Sequence, residues 1–203
     1  MTKLGIAIDK KRCIGCHACA VACKTQNNVP DDILWNRVLT EGTDVLDGSV
    51  GTYPNITKSF RPQACQHCEN PACMKVCPVG ATYKDDKGRV EIDYDKCIGC
   101  RYCMAACPYN ARVFNWEVGT RVTGHDYGEA AARPKGVAEK CTLCKERTDQ
   151  GLEPMCVVCC PAKARVFGDL DDPESEIYRL AHSGNAHQLL AEKGTNPQVY
   201  YLN

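Results

Sequence analysis

The sequence predicts a loop-rich α+β fold, in which two repeated units of short strands and short helices are followed by a helical C-terminal tail. Three observations support this prediction. The 203 residues include 17 cysteines, which fall into four groups of four with one left over. The phrase Ala-Arg-Val-Phe occurs twice, from Ala111 and from Ala164, each time shortly after a Cys-Pro pair. Short strand-like segments lead into two of the cysteine groups, and such repetition is typical of a duplicated supersecondary unit.

Cysteine chemistry, more than an apolar core, is expected to hold this chain together. Aromatic residues are only 7 % of the sequence, and the hydrophobic fraction of 44 % includes the cysteines. The formal net charge is zero, with 25 basic and 25 acidic residues. This balance argues against nucleic acid as a partner, because nucleic-acid-binding proteins carry a basic face. No secretory signal is evident and no apolar run has the length of a membrane span, so any membrane anchor is expected to belong to another chain.

Each cysteine group has the spacing of an iron–sulfur ligand loop. Groups one and three have the spacing C-x2-C-x2-C-x3-C, and a proline follows the last cysteine of groups two, three and four. Three thiolates this close in sequence can reach three corners of one 4Fe-4S cubane, and the fourth is directed to the cluster of another group. Group one is Cys13, Cys16, Cys19 and Cys23, group two is Cys65, Cys68, Cys73 and Cys77, group three is Cys97, Cys100, Cys103 and Cys107, and group four is Cys141, Cys144, Cys156 and either Cys159 or Cys160.

Group four admits two interpretations. The two C-x2-C pairs that begin at Cys141 and Cys156 have the spacing of a zinc ribbon. The pattern Cys156-x3-Cys160-Pro instead repeats groups two and three. The Ala-Arg-Val-Phe that follows it has the same spacing from the Cys-Pro pair as in group three. We favour this second interpretation, in which Cys159 is a small buried apolar residue. A disulfide framework is disfavoured, because it would not need a metal-loop spacing four times over.

The exchange of fourth cysteines predicts that clusters come in pairs, in two ferredoxin-like dicluster units. Only residues 78–96 separate groups two and three, which therefore form a compact inner unit. Groups one and four pair across more than a hundred residues and form an outer unit around it. Two stretches without clear period are expected to be ordered loop insertions. The predicted organisation is an outer unit over 1–30 and 137–170, an inner unit over 60–116, loop insertions over 31–59 and 117–136, and a C-terminal helical tail and strap over 171–203.

Local patterns predict strands around the cysteine groups. LGIAID before Cys13 and RVEID before Cys97 each end in Ile-Asp, and three residues separate that Asp from the cysteine. ATYKDDKGRVEI predicts a hairpin whose turn contains Gly88. The cysteine loops are therefore expected to be framed by short strands.

The C-terminal tail carries helix signals. Asp172 and Pro173 are typical of an N-cap and a first helical position, which predicts a helix over ESEIYRLAH. NAHQLLAEK predicts a second helical stretch that stops at Gly194. Val199 to Leu202 is predicted to be a terminal strand or strap docked on the body.

Nothing in the sequence indicates a catalytic site. There is no glycine-rich phosphate loop and no nucleophile elbow. His17 and His67 adjoin cluster cysteines, but every group already has four thiols, so we expect both to lie beside clusters and not to bind iron. A cubane with four protein ligands keeps no open position for a substrate. The expected function is electron transfer and not catalysis.

Four segments in order, PACMKVCPVGA, CIGCRYCMAACPYNARVF, EKCTLCKER and CCPAKARVFGDLDDPESE, resemble the four-cluster iron–sulfur subunits of the DMSO reductase superfamily of molybdopterin oxidoreductases. The resemblance implies a non-catalytic beta subunit that relays single electrons through four 4Fe-4S clusters. Its partners would be a large catalytic subunit with a molybdenum or tungsten bis-pterin (bis-PGD) cofactor, and a membrane anchor subunit or another redox donor. The equivalent electron-transfer subunit of a formate dehydrogenase or hydrogenase complex is one alternative, and a zinc-stabilised interaction module is another.

The resemblance also implies where the protein acts and which cysteines bind each cluster. Relatives of this kind are often exported with their catalytic partner, so the expected location is cytoplasmic, or extracytoplasmic by co-export, with membrane association through a partner. Lys24 departs from the family pattern, which has proline after the fourth cysteine. The implied ligand sets are Cys13, Cys16, Cys19 and Cys160; Cys23, Cys141, Cys144 and Cys156; Cys65, Cys68, Cys73 and Cys107; and Cys77, Cys97, Cys100 and Cys103.

Overall fold

Short strands and helices alternate along the chain in the computed structural model, which describes residues 2–43, 45, 48–117 and 133–203. The strands are β1 (Leu4–Asp9), β2 (Arg37–Glu41), β3 (Val50–Thr52), β4 (Asn55–Thr57), β5 (Ser59–Gln63), β6 (Thr82–Lys84), β7 (Val90–Ile92), β8 (Val113–Phe114), β9 (Ala138–Glu139), β10 (Arg165–Asp169), β11 (Ala186–His187) and β12 (Val199–Leu202). The helices are α1 (Ala18–Gln26), α2 (Ala72–Lys75), α3 (Tyr102–Ala105), α4 (Lys145–Asp149), α5 (Met155–Val158) and α6 (Glu176–Ala181).

A four-stranded sheet in the order β10-β1-β12-β11 joins the two ends of the chain. β1 pairs with β10 antiparallel and with β12 parallel, so it is a central strand, and its apolar residues are buried on both faces. Ile6 and Ile8 lie on the face that packs against cysteines of the outer unit. Ala7 points the other way, into a second cluster with Ile177 of α6. The predicted strands β1 and β12 are confirmed, and the sheet forms the rigid support behind two of the cysteine groups.

Two small ladders lie beside cysteine groups two and three. The predicted hairpin is confirmed, with β6 and β7 antiparallel and Gly88 in the turn at a φ of +75°. Val90 of β7 is buried beside Cys73 and Cys103, so the hairpin packs directly on the cysteine loops. β8, from the first Ala-Arg-Val-Phe, pairs antiparallel with β9, which leads into group four. This ladder ties the inner cysteine groups to the outer ones.

The stretch expected to be a loop insertion over 31–59 is more regular than predicted. It contains β2, β3 and β4, and β2 pairs with β5 along its whole length. The sequence does not show the alternation of apolar and polar residues that is typical of a strand, because β2 and β5 are only partly buried and carry charged side chains on one face. Of the other expected insertion, over 117–136, residues 118–132 lie outside the described part of the chain.

The tail differs from its prediction in two places. Helix α6 begins three residues later than expected, with Ser175 as its N-cap, because the Ser175 hydroxyl accepts a hydrogen bond from the Tyr178 amide at 3.2 Å. The predicted second helix over NAHQLLAEK is wrong. Ala186 and His187 instead extend the sheet against β12, and only a short 3₁₀ turn follows at Ala191–Lys193. Within the described residues, no helix has the length and apolar character needed to cross a membrane.

Candidate metal centres

Four cavities, which we name A to D, are each lined by a set of four cysteines, and B is lined by a fifth cysteine, Cys65, which also belongs to the set of C. Each set combines three cysteines of one group with the last of another, in the combinations that the family resemblance implies. Cys159 lines none of these cavities, and none of the 17 cysteines forms a disulfide. The cavities are A with Cys13, Cys16, Cys19 and Cys160; B with Cys23, Cys141, Cys144 and Cys156; C with Cys65, Cys68, Cys73 and Cys107; and D with Cys77, Cys97, Cys100 and Cys103.

Left-handed backbone positions shape the cysteine loops. Gly15 and His17 have φ values of +68° and +58°, and the equivalent Gly99 and Arg101 have +69° and +63°. Alternation between left-handed and right-handed residues curls the chain around a concavity lined by backbone amides, which favours a negatively charged occupant. Helices α1 and α3 begin directly after these turns and carry the next cysteine. The matching values show that groups one and three use one loop conformation.

The cavities fit a cubane better than a single ion. Across the described ranges, no three His, Cys, Asp or Glu side chains converge closely enough to hold one metal ion. A zinc ion would require its sulfurs about 2.3 Å from one centre. Each cysteine set therefore surrounds a volume, as a 4Fe-4S cluster needs, and the zinc-ribbon interpretation of group four is disfavoured.

Burial keeps the isolated thiols protonated. Removal from water raises the pKa of Cys65 and of Cys156 to about 11, and that of Cys68 to about 12. A thiolate is the ligand that iron requires, so the buried cysteines need a counter-charge before they can act. Iron bound at each site would supply it, and the protein supplies part of it as buried cations.

Two of those cations come from the two copies of Ala-Arg-Val-Phe. Arg112 donates a hydrogen bond to the Cys73 sulfur at 3.1 Å, and Arg165 donates one to the Cys19 sulfur at 3.3 Å. Both side chains are almost fully removed from solvent. Arg112 lines cavities C and D, and Arg165 lines A and B. Each repeat thus places one guanidinium between two cysteine sets.

Neutral groups complete the surroundings. Asn27 donates to the Cys23 carbonyl at 2.8 Å and approaches the sulfurs of Cys23 and Cys144 at 3.8 and 4.0 Å. His17 lines cavity A. Fully buried His67 accepts a hydrogen bond from the Val90 amide at 3.1 Å on Nδ1, and burial holds its pKa well below the usual value. A neutral imidazole that accepts on one nitrogen suits a residue beside a cluster.

The cavities form a row. Cavities A and B share Arg165, B and C share Cys65, and C and D share Arg112. At the two ends, Cys16 of A and Cys100 of D are exposed, and Ile14 and Ile98 beside them are each 63 % exposed. Cavities A and D, at the two ends of the row, therefore reach the protein surface, and cavities B and C lie further inside.

Sequence reasoning missed Arg112, Arg165 and Asn27 as neighbours of the cysteine sets. It also missed that Cys65 lines two cavities, B and C. The repeated Ala-Arg-Val-Phe was a signal for the arginines, because the same residue recurs at the same distance from a Cys-Pro. Lys24, the departure from the family pattern, has a structural role. Its ammonium donates to three carbonyls of the following loop, those of Pro30, Asp31 and Ile33, at 2.5, 2.6 and 3.1 Å.

Comparisons with known proteins agree with these cavities. A family profile described as a 4Fe-4S dicluster domain matches residues 56–123 and 129–170, and a second profile of the same description matches 12–81. A Halobacterium salinarum protein, provisionally named as an iron-sulfur subunit of dimethyl sulfoxide reductase, is 56 % identical over all of this chain and 80 % of its own length.

Two further relatives are similar to this chain over almost its whole length. The B subunit of the selenate reductase of Mesobacillus selenatarsenatis is 45 % identical over 97 % of this chain and 70 % of its own. The arsenate respiratory reductase iron-sulfur subunit of a Shewanella species is 38 % identical over 98 % of this chain and 96 % of its own. The three relatives differ in the reductase that they are named for, and all are similar to this chain across the four cysteine groups.

Proposed function

Because the chain belongs to the iron–sulfur electron-transfer subunits of the DMSO reductase superfamily of molybdopterin oxidoreductases, we propose that its four cavities hold the clusters as a single row. In this family role the chain is not itself catalytic and relays electrons through four 4Fe-4S clusters. The observation that carries the proposal is the composition of the cavities, each with a set of four cysteines drawn crosswise from two groups, to which cavity B adds only Cys65 of the neighbouring set C.

The proposed ligand sets are those of cavities A to D. When bound, each cubane supplies a one-electron redox couple. The chain's own residues hold the thiolates, exclude water from the inner cavities and donate hydrogen bonds to sulfur, all of which influence reduction potential. Four protein ligands per cluster leave no iron open to a reactant, which supports electron transfer as the only chemistry of this chain.

The row also suggests where electrons enter and leave. Cavities B and C lie in the middle, and each of their cysteines is buried or, for Cys65 and Cys107, partly buried. Cavities A and D each have one exposed cysteine, Cys16 and Cys100, with an exposed isoleucine beside it. We therefore place one redox partner at the Cys16 end and another at the Cys100 end.

The partner at one end is a large molybdopterin-containing catalytic subunit. Relatives of this chain are named as subunits of reductases, which supports a complex with a catalytic chain. The other partner is a membrane anchor subunit or another redox donor. The names of the relatives favour a sulfoxide or an oxyanion such as selenate or arsenate as the substrate of the catalytic chain.

Anaerobic purification of the tagged chain from its own host tests this proposal. We expect a brown complex that contains a large pterin-binding chain and about sixteen irons, with matching acid-labile sulfide, per copy of this chain. A colourless protein with a few zinc ions, or a monomer that turns over a sulfoxide or oxyanion by itself, would refute the proposal.

A further inference from the structure

We propose that Arg112 and Arg165 set the reduction potentials of the four clusters two at a time, each acting on the pair of clusters between which its guanidinium lies. This inference depends on the ligand sets proposed above. It assigns a function to the duplicated Ala-Arg-Val-Phe, which the electron-transfer role by itself does not explain.

Arg112 lies between cavities C and D and is 2 % exposed. Its Nη2 donates to the Cys73 sulfur of cavity C at 3.1 Å. Its Nη1 donates to the hydroxyl of Thr82, which lines cavity D, at 3.1 Å. The two arms of the guanidinium are thereby fixed toward two different cavities, and the side chain cannot turn away from either without losing a hydrogen bond.

Arg165 repeats this arrangement between cavities A and B and is 5 % exposed. Its Nη2 donates to the Cys19 sulfur of cavity A at 3.3 Å. The same nitrogen donates to the Asn36 side-chain oxygen at 3.1 Å, and Asn36 lines cavity B. The second copy of the repeat therefore places the same group in the equivalent position of the other dicluster unit.

Neither arginine has a carboxylate to balance its charge. Among the residues that the structure describes, no Asp or Glu oxygen lies within ion-pair distance of Arg112 or Arg165. Other buried cations of this chain do have such partners, since Arg89 contacts Asp85 at 2.6 Å and Lys140 lies 4.0 Å from Glu91. A buried charge without a counter-charge is strongly unfavourable.

The missing counter-charge lies on the thiolates. Cysteines that bind iron do so as thiolates, so the ligand sets of the flanking cavities would supply it. Arg112 donates to the Cys73 sulfur of cavity C and also lines D, and Arg165 donates to the Cys19 sulfur of cavity A and also lines B. Each guanidinium therefore lies close to both members of one pair.

A fixed positive charge makes reduction easier. Reduction adds one electron, and so one negative charge, to a cluster that already carries four thiolates. A buried guanidinium stabilises that added charge more than water would, because the surroundings have a low dielectric constant. Removing the charge should lower both potentials of the adjacent pair and leave the more distant pair almost unchanged.

The test uses the holo-complex, with redox titration followed by EPR in Arg112→Gln, Arg165→Gln and the control Arg61→Gln. Arg61 lies 3.4 Å from the Glu41 carboxylate and lines none of cavities A to D. We expect each buried-arginine variant to lower two of the four potentials by at least a tenfold change in redox equilibrium, about 59 mV for one electron. The two variants should affect complementary pairs, and the control should shift no potential by that much.

Several outcomes would overturn the inference. These are unchanged potentials, an equal shift of all four clusters, a shift of one cluster alone, or the same pair shifted by both variants. If a glutamine variant does not assemble, the same redox titration of Arg112→Lys and Arg165→Lys tests the inference. Lysine keeps the charge but lacks the fork that reaches both cavities, so we expect full iron content and smaller downward shifts in the same pair.

The lysine variants also separate a tuning role from a structural one. Lost iron or unchanged potentials in these variants would reject the inference. The iron and sulfide content of the unaltered chain tests the cluster assignment on its own, so its failure is distinct from failure of this inference.

Discussion

The doubled cysteine at positions 159 and 160 gives the sharpest test of the ligand sets. Cys160 lines cavity A, and its sulfur accepts a hydrogen bond from the Ala164 amide at 3.3 Å. Cys159 is one residue earlier on the same turn and packs instead against the apolar core beneath β1. Cys159→Ser and Cys160→Ser make the same chemical change at neighbouring residues, so each variant is the matched control of the other.

The expected sizes of the two effects are far apart. Cys160→Ser removes one of four ligands from one cluster, so iron content should fall from about sixteen per chain to about fifteen, if a 3Fe-4S centre forms, or to about twelve, if the cluster is lost. Cys159→Ser removes a partly buried sulfur from an apolar contact and should cost about 1 kcal/mol of stability. It should leave every cluster in place.

Iron and sulfide analysis with EPR spin counting distinguishes these outcomes. Thermal unfolding of the anaerobic complex measures the small stability cost in Cys159→Ser. Loss of iron in Cys159→Ser alone would show that Cys159 is the ligand, as in the zinc-ribbon spacing. Equal loss of iron in both variants would show that either thiol can serve as the ligand. Either result would refute the ligand set assigned to cavity A.

Two further predictions concern the loops and the junction between units. Gly99→Ala should lose about four irons per chain, because its Cβ would collide with the Gly136 carbonyl oxygen at a φ of +69°. Gly80→Ala, at a φ of +63° with nothing within 4 Å of the added Cβ, should keep all the irons in the same iron assay. Arg89→Met should destabilise the complex by about 1–3 kcal/mol in thermal unfolding, because it removes the buried guanidinium that donates hydrogen bonds to Asp85, Thr148 and Asp149. The more exposed Lys87→Met should cost at most about 1 kcal/mol, and equal costs would contradict the explanation.

Local signals were sufficient for the elements that frame the cysteine groups. β1, β7, the β6–β7 hairpin and β12 are dense in β-branched and aromatic residues, or have a glycine where the turn requires it, so their conformation is decided by neighbours in sequence. The helix over NAHQLLAEK was wrong because two of its residues gain ladder hydrogen bonds from β12, and such tertiary pairing overrides a weak helix propensity.

The amino-acid sequence by itself determined the cofactor type and the four cysteine groups and predicted their crosswise pairing, because thiol spacing limits which corners of a cubane one loop can reach. Only the tertiary structure decided the order of the cavities, the separate positions of Cys159 and Cys160, and the placement of Arg112 and Arg165 between pairs. These depend on contacts between segments that are distant in the chain, such as Arg112 with Cys73 and Arg165 with Cys19. Spacing along a chain carries no information about such distances, which are set by how the outer sheet and the inner hairpins pack.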